Sequence, residues 1–189
     1  MSIFYMVEMN YPKSESRAEF DAFYDRHIAM LLTIKGFQSA QRFACVHAAK
    51  APYLALYRLA GPAVLTSENY TSKAGRMSVK ASMRERITNW DRNLVNGALD
   101  ELEVAMGGWM VLIDRLDPQS PALPDGFTPL TIIGLDKTLA ERGVCTGDTG
   151  EPPTPDASTP GWKVRTLHPI HPPRYPAARR RRMFRANQD

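Results

Sequence analysis

The sequence predicts an α+β domain over residues 1–117, with strands and helices in the ferredoxin-like order β-α-β-β-α-β, an antiparallel sheet and a proline-rich C-terminal extension. Three observations predict it. The hydrophobic period switches between two and three-to-four residues in that order. Twelve of the 15 prolines lie at or after Pro118, so the chain changes character there. No window approaches the roughly 18 consecutive apolar residues of a membrane span, which leaves a globular fold.

Each element follows from its residues. Ile3 to Met9 reads as a strand, with Ile3, Tyr5, Val7 and Met9 on one face. Ser14 to Ile34 reads as a helix, because Phe20, Tyr24, His27, Leu31 and Ile34 recur at three-and-four spacing and Gly36 follows where a helix ends. Phe37 to His47 and Tyr53 to Leu59 alternate as strands, and Gly61-Pro62 opens a short helix. Val79, Met83, Ile87, Trp90 and Leu94 predict a longer helix ending near Gly97. A helical stretch over Leu99 to Met106 then leads through Gly107-Gly108 into a strand from Trp109 to Leu116.

Two helices cover only one face of such a sheet. Tyr5, Val7, Tyr57 and Val111 make the other face too apolar to stand in water, which predicts a homodimer whose second sheet covers it. Residues 118–176 carry strand patterns at 129–135 and 162–167 between turn-rich stretches. Trp162, Val164 and Thr166 alternate with Lys163, Arg165 and Leu167, the pattern of an edge strand with one wet face. The extension is expected to wrap the body or its partner, burying Trp162 and the 130–135 run. Residues 177–189 are expected to form a mobile basic tail.

Charge and cysteine usage exclude several function classes. The net charge is +4, but six arginines and one aspartate between Arg174 and Asp189 account for all of it, leaving the rest near −1. A nucleic-acid binder carries its charge on the folded surface, so nucleic acid is not the expected partner. Cys45 and Cys145 are far apart, and MSIFYMVEMN has no basic n-region, which together predict a cytoplasmic protein without a disulfide scaffold. No GxGxxG, P-loop, GxSxG or HExxH pattern is present, so the expectation is an enzyme without cofactor. The HxxH pair His168 and His171 is broken up by Pro169, Pro172 and Pro173, and no metal site is expected.

The stretch EFDAFYDRHIAMLLTIKGFQSAQRF, followed by PYLALYRLAGPAVLTSENY, resembles the dimeric α+β barrel superfamily, and within it the EthD-like branch. Phe23, Tyr24, Asp25, His27, Gly36, Phe37, Arg42 and Tyr53 to Tyr57 carry the resemblance over residues 1–117. Ala29 stands where many members have proline. The superfamily includes cofactor-free oxygenases, muconolactone-type isomerases, polyketide cyclases, decarboxylases and haem enzymes, so it does not choose a reaction.

Six residues are the candidates for chemistry. His27 lies on the apolar helix face, where it is either a general acid or base or a core histidine bonded to a carbonyl. The resemblance adds that histidine here commonly lines the internal cavity. Tyr24, one turn earlier, and Tyr57 can orient a substrate oxygen or simply pack. Phe23 adds an apolar wall. Arg42 can fix a carboxylate bidentately or pair with an acid at a dimer rim. His47 shares a strand face with Cys45, and the resemblance to muconolactone-type isomerases gives that pair a binding role.

The expected function is cofactor-independent proton transfer next to a carbonyl: isomerisation, cyclisation, dehydration or decarboxylation of a small aromatic-derived or polyketide-like compound. His27 would move the proton while Tyr24 and Tyr57 hold the oxygen. The alternatives are a cofactor-free monooxygenase of phenols and a dimer that binds a small ligand without transforming it.

Overall fold

Alternation at the N-terminus gives β1 (Ser2–Asn10) in the computed structural model, which describes residues 2–47, 49–74 and 79–177. Tyr5, Val7 and Met9 point outward from β1, while Phe4, Met6 and Glu8 point the other way. Helix α1 (Arg17–Leu31) starts at Ser16, whose side chain accepts the backbone N–H of Glu19, and Glu19 places its negative charge at the positive helix end. The helix buries Phe20, Tyr24, Ile28 and Leu31 against Tyr5, Val7, Met9 and Tyr57. Each such side chain contributes about 1.5–3 kcal/mol by leaving water. Gly36, at φ 102°, turns the chain into β2 (Phe37–Cys45). Then come β3 (Tyr53–Leu59), a 3-10 turn (Pro62–Thr66), and the one-turn helices α2 (Glu68–Thr71) and α3 (Ala81–Arg84). The fourth strand is β4 (Thr88–Gly97).

Four further strands follow: β5 (Trp109–Arg115), β6 (Thr128–Leu135), β7 (Glu141–Gly147) and β8 (Trp162–Pro169). The eight close into one antiparallel barrel in the order β1-β3-β2-β8-β5-β7-β6-β4. The connectivity repeats: β4-β1-β3-β2 along one half is matched by β8-β5-β7-β6 along the other. Phe4, Met6, Phe43, Leu54, Leu56, Val95, Met110, Leu112, Leu130, Val144 and Leu167 fill the interior. Leu102 and Val104, from the connection between β4 and β5, complete that core at one end. Gln41 pins the connection by donating to the Val104 carbonyl (2.7 Å) and accepting its N–H (3.0 Å).

The expected ferredoxin-like α+β fold is corrected by this closure. The inner face of the first four strands does need a second sheet, and the same chain supplies it. Tyr5, Val7 and Tyr57, which predicted a partner copy, lie under α1, and Val111 lies buried on the outer side of β5. The predicted helix from Val79 to Leu94 is α3 followed by β4. The strand was hidden because it is covered on both sides, with Leu94 outward, Val95 inward, and polar Asp91 and Asn93 at the other inward positions. Residues 99–106 form no helix. Glu141–Gly147 is a strand that the sequence reading did not anticipate.

Residues 118–176 are therefore not an appendage wrapped over a finished body, because they supply three of the eight staves. β8 is no edge strand: it sits between β2 and β5, and its supposed wet face, Arg165 and Leu167, is the barrel interior. Wrapping does occur on the outside of the second half of the barrel. The Trp162 indole donates to the Pro121 carbonyl (2.9 Å), and the Trp109 indole to the Gly150 carbonyl (3.1 Å). Gly147 is needed there, since a Cβ would run into the Trp109 ring. Ile133 and Leu135 of the 130–135 run remain exposed. The expected basic tail falls almost wholly outside the described residues.

Candidate functional site

Four of the predicted residues meet, but in a confined space. Phe23, Tyr24 and His27 from α1 and Tyr57 from β3 line one cavity between helix and sheet, together with Tyr5, Tyr70 and Trp90. That cavity measures about 20 Å³, room for a single water. Burial pushes the His27 imidazole down to about 4, so it is neutral near pH 7, and Phe23 stacks on it at 5.5 Å. Burial raises the Tyr24 phenol above its ordinary range, with nearby Arg42 pulling the other way, and its hydroxyl donates to Met9 Sδ. Tyr57 is raised by burial too.

Arg42 is committed elsewhere. It pairs with Asp21 at 2.9 Å and lies over the rings of Tyr24 (4.4 Å) and Phe20 (5.0 Å), so it serves helix docking. His47 is exposed just beyond β2 and, with Cys45, borders two surface depressions of about 420 and 240 Å³. It is not part of the His27 cavity. His168 and His171 bind the carbonyls of Gly108 (2.8 Å) and Pro172 (2.7 Å), and among the described residues no group of three His, Cys, Asp or Glu could hold a metal. No helix among the described residues is long and apolar enough to cross a membrane.

The larger space is at the barrel mouth opposite the Leu102 plug. A cavity of about 600 Å³ opens there, lined by Glu8, Trp90, Asp91, Asp136, Thr138, Lys163 and Arg165 and by Ala49, Lys50 and Ala51 of the β2–β3 connection. Its floor is a buried charge lattice. Arg142, fully buried, donates from Nε to Asp114 at 2.6 Å and from a terminal nitrogen to Glu8. Arg165 donates to both Glu8 oxygens (2.6 and 2.9 Å) and to Asp114 Oδ2 (2.8 Å). Burial alone would raise the Glu8 carboxyl, but Arg142, Arg165 and Lys163 outweigh it and hold it well below the usual carboxylate range.

Two arginines thus neutralise two carboxylates, and one cation is left over. Lys163 Nζ leans on Glu8 (3.3 Å) and Asp114 (3.7 Å), with 37% of its side chain exposed. On β4, Asp91 Oδ2 accepts from Thr138 Oγ1 (2.6 Å) and Asn93 Nδ2 (3.1 Å). Asp91 Oδ1 is buried with no hydrogen-bond partner among the described residues. An oriented carboxylate without a cationic partner can take a proton, and a fixed cation in the same cavity can stabilise the resulting oxyanion.

None of these mouth residues was singled out from the sequence. The signal was present, since Glu8 follows Phe4 and Met6 on one strand face and Arg165 precedes Leu167 on another. A charge that continues an apolar face marks either the end of a buried surface or a buried pair.

No protein-family description matches this chain, and no curated protein does. Among solved structures the chain is similar to an anthrone oxidase-like protein, at 12% identity and a TM-score of 0.57, covering 93% of this chain and 94% of that one. It is also similar to a proposed monooxygenase from Lactobacillus acidophilus NCFM, at 9% identity and a TM-score of 0.50, covering 89% and 93%. At such identities the likeness establishes the barrel architecture alone.

Proposed function

We propose that the chain is an enzyme that oxygenates a small electron-rich hydroxyaromatic compound at the barrel mouth, using molecular oxygen and no bound cofactor. The observation that carries this reading is the pairing, in one cavity of about 600 Å³, of an uncompensated carboxylate, Asp91, with a surplus cation, Lys163. Cavities of roughly 300–1,000 Å³ suit small organic ligands, and Trp90 offers a flat apolar wall. The His27 cavity admits only a water, so the mouth is the better place for a substrate.

In this reading Asp91 accepts an acidic proton from the substrate, held in position by Thr138 and Asn93. Lys163, with the guanidinium of Arg165 behind it, attracts the negative charge of the substrate anion from the opposite wall. The electron-rich anion then reduces oxygen: the ring C–H that is a CH₂ in the keto tautomer becomes a carbonyl, one oxygen atom enters the product, and the other leaves as water with the two hydrogens lost. The anthrone oxidase-like and monooxygenase likenesses favour this outcome over isomerisation or lyase chemistry, which the same base and cation would also serve.

Oxygen-electrode assays on a panel of anthrones and hydroxynaphthalenes test the proposal. Oxygen uptake matching product formation one to one supports it. Turnover without uptake would replace it with proton-transfer chemistry, and binding without turnover with a ligand-binding role.

A further inference from the structure

We infer that the mouth recognises an anionic substrate, a hydroxyaryl carboxylate, with Lys163 as the counter-ion to the carboxylate and Asp91 facing the hydroxyl. The inference deepens the reading of the same site and rests on it for the location. Its basis is the distribution of charge. Arg142 and Arg165 lie inside the lattice and are neutralised by Glu8 and Asp114. Lys163 approaches the same two carboxylates only at their periphery, after the arginines have claimed their oxygens at shorter distances. Its positive charge is therefore surplus, and more than a third of the side chain is exposed.

A second observation concerns Arg165. It is 3% exposed, borders the cavity, and keeps its Nε hydrogen without an acceptor among the described residues. The β8 wall therefore has more donor capacity and positive charge than its own carboxylates absorb. The β4 wall is the reverse. Among the described residues Asp91 has no cationic partner, while the other acid of that side, Asp136, is neutralised by Arg92 at 3.1 Å. Lys50, exposed on the β2–β3 connection, is the remaining cation of the rim. The cavity is thus polarised across its width, positive at β8 and negative at β4. A ligand carrying a permanent negative charge at one end and a hydroxyl donor at the other satisfies both walls. A neutral phenol satisfies only one.

Binding is measured without oxygen, so the charge preference is read whether or not the protein is an oxygenase. The probes are 6-hydroxy-2-naphthoate and 2-naphthol, titrated by calorimetry into the intact chain and into Lys163→Gln and Lys163→Arg, each checked for an unchanged melting transition. The carboxylate should bind the unmodified chain at least about tenfold more tightly than 2-naphthol, roughly 1.4 kcal/mol. Lys163→Gln should abolish that preference, weakening the carboxylate far more than 2-naphthol, and Lys163→Arg should restore it. Equal affinity for the two probes, or equal losses for both in Lys163→Gln, would overturn the inference. Oxygen uptake from a neutral phenol alone would overturn it too, while leaving the oxygenase reading intact.

Discussion

Glu8 and Asp91 stand directly opposite each other on the paired strands β1 and β4, on the same inward face of the barrel, yet their partners differ completely. Glu8 is surrounded by Arg142, Arg165 and Lys163, whereas among the described residues Asp91 has only the hydroxyl of Thr138 and the amide of Asn93. One carboxylate is held as an anion by three cations, and the other is the base of the proposed reaction.

Replacing Asp91 by Asn keeps the shape and the Thr138 contact but removes the base. The expected loss in turnover is about 10²–10⁴, with substrate affinity nearly unchanged. Steady-state oxygen uptake with a thermal melt alongside checks it. Full activity in a folded variant would remove Asp91 from the chemistry.

Glu8→Gln should act on stability. Arg142 and Arg165 would then share one buried carboxylate, Asp114, and breaking a buried pair of this kind costs about 3–5 kcal/mol. Urea unfolding measures it. A change below about 1 kcal/mol would show that the lattice is not held together by Glu8.

The pH dependence comes from His27. Its folded value, about 4, lies below the ordinary 6.5, so the unfolded chain takes up a proton that the folded one refuses. The resulting stabilisation is complete above pH 6.5 and drains away as the pH falls towards 4. Unfolding midpoints measured across that window should decline, and His27→Phe should flatten the decline. An identical slope in the variant would assign it to other groups.

A chain ended at residue 117 should not fold cooperatively. It would expose Phe4, Met6, Leu54 and Leu56, which the second half covers. A sharp melting transition for residues 1–117 would overturn the view that the barrel is one unit, and a self-associated form would restore the dimer that the sequence predicted.

The first three strands were legible because apolar residues run through both faces, Phe4, Met6, Leu54 and Leu56 inward and Tyr5, Val7 and Tyr57 outward, and α1 because Phe20, Tyr24 and Leu31 recur at helical spacing. Beyond β3 that clarity fails for a physical reason. Strands in a closed barrel with a covered exterior bury both faces, and at the mouth the inward positions are Asp91, Asn93, Lys163 and Arg165 rather than leucines. Such strands read as helix or as solvent-facing edge. His27, Tyr24, Phe23 and Tyr57 line one cavity, but how little room they leave is set by packing, which spacing does not reveal.

The repeated strand order has a consequence for what the mouth can be. Asp91 lies beside Glu8 in one half just as Lys163 lies beside Asp114 in the other. Two identical chains joined in this way would be forced to present the same residue at both places, two aspartates or two lysines, and their mouth would be symmetric. A single chain that carries both halves escapes that constraint, because each position can mutate alone. The difference between donor wall and acceptor wall is a freedom that comes with writing both sheets into one polypeptide.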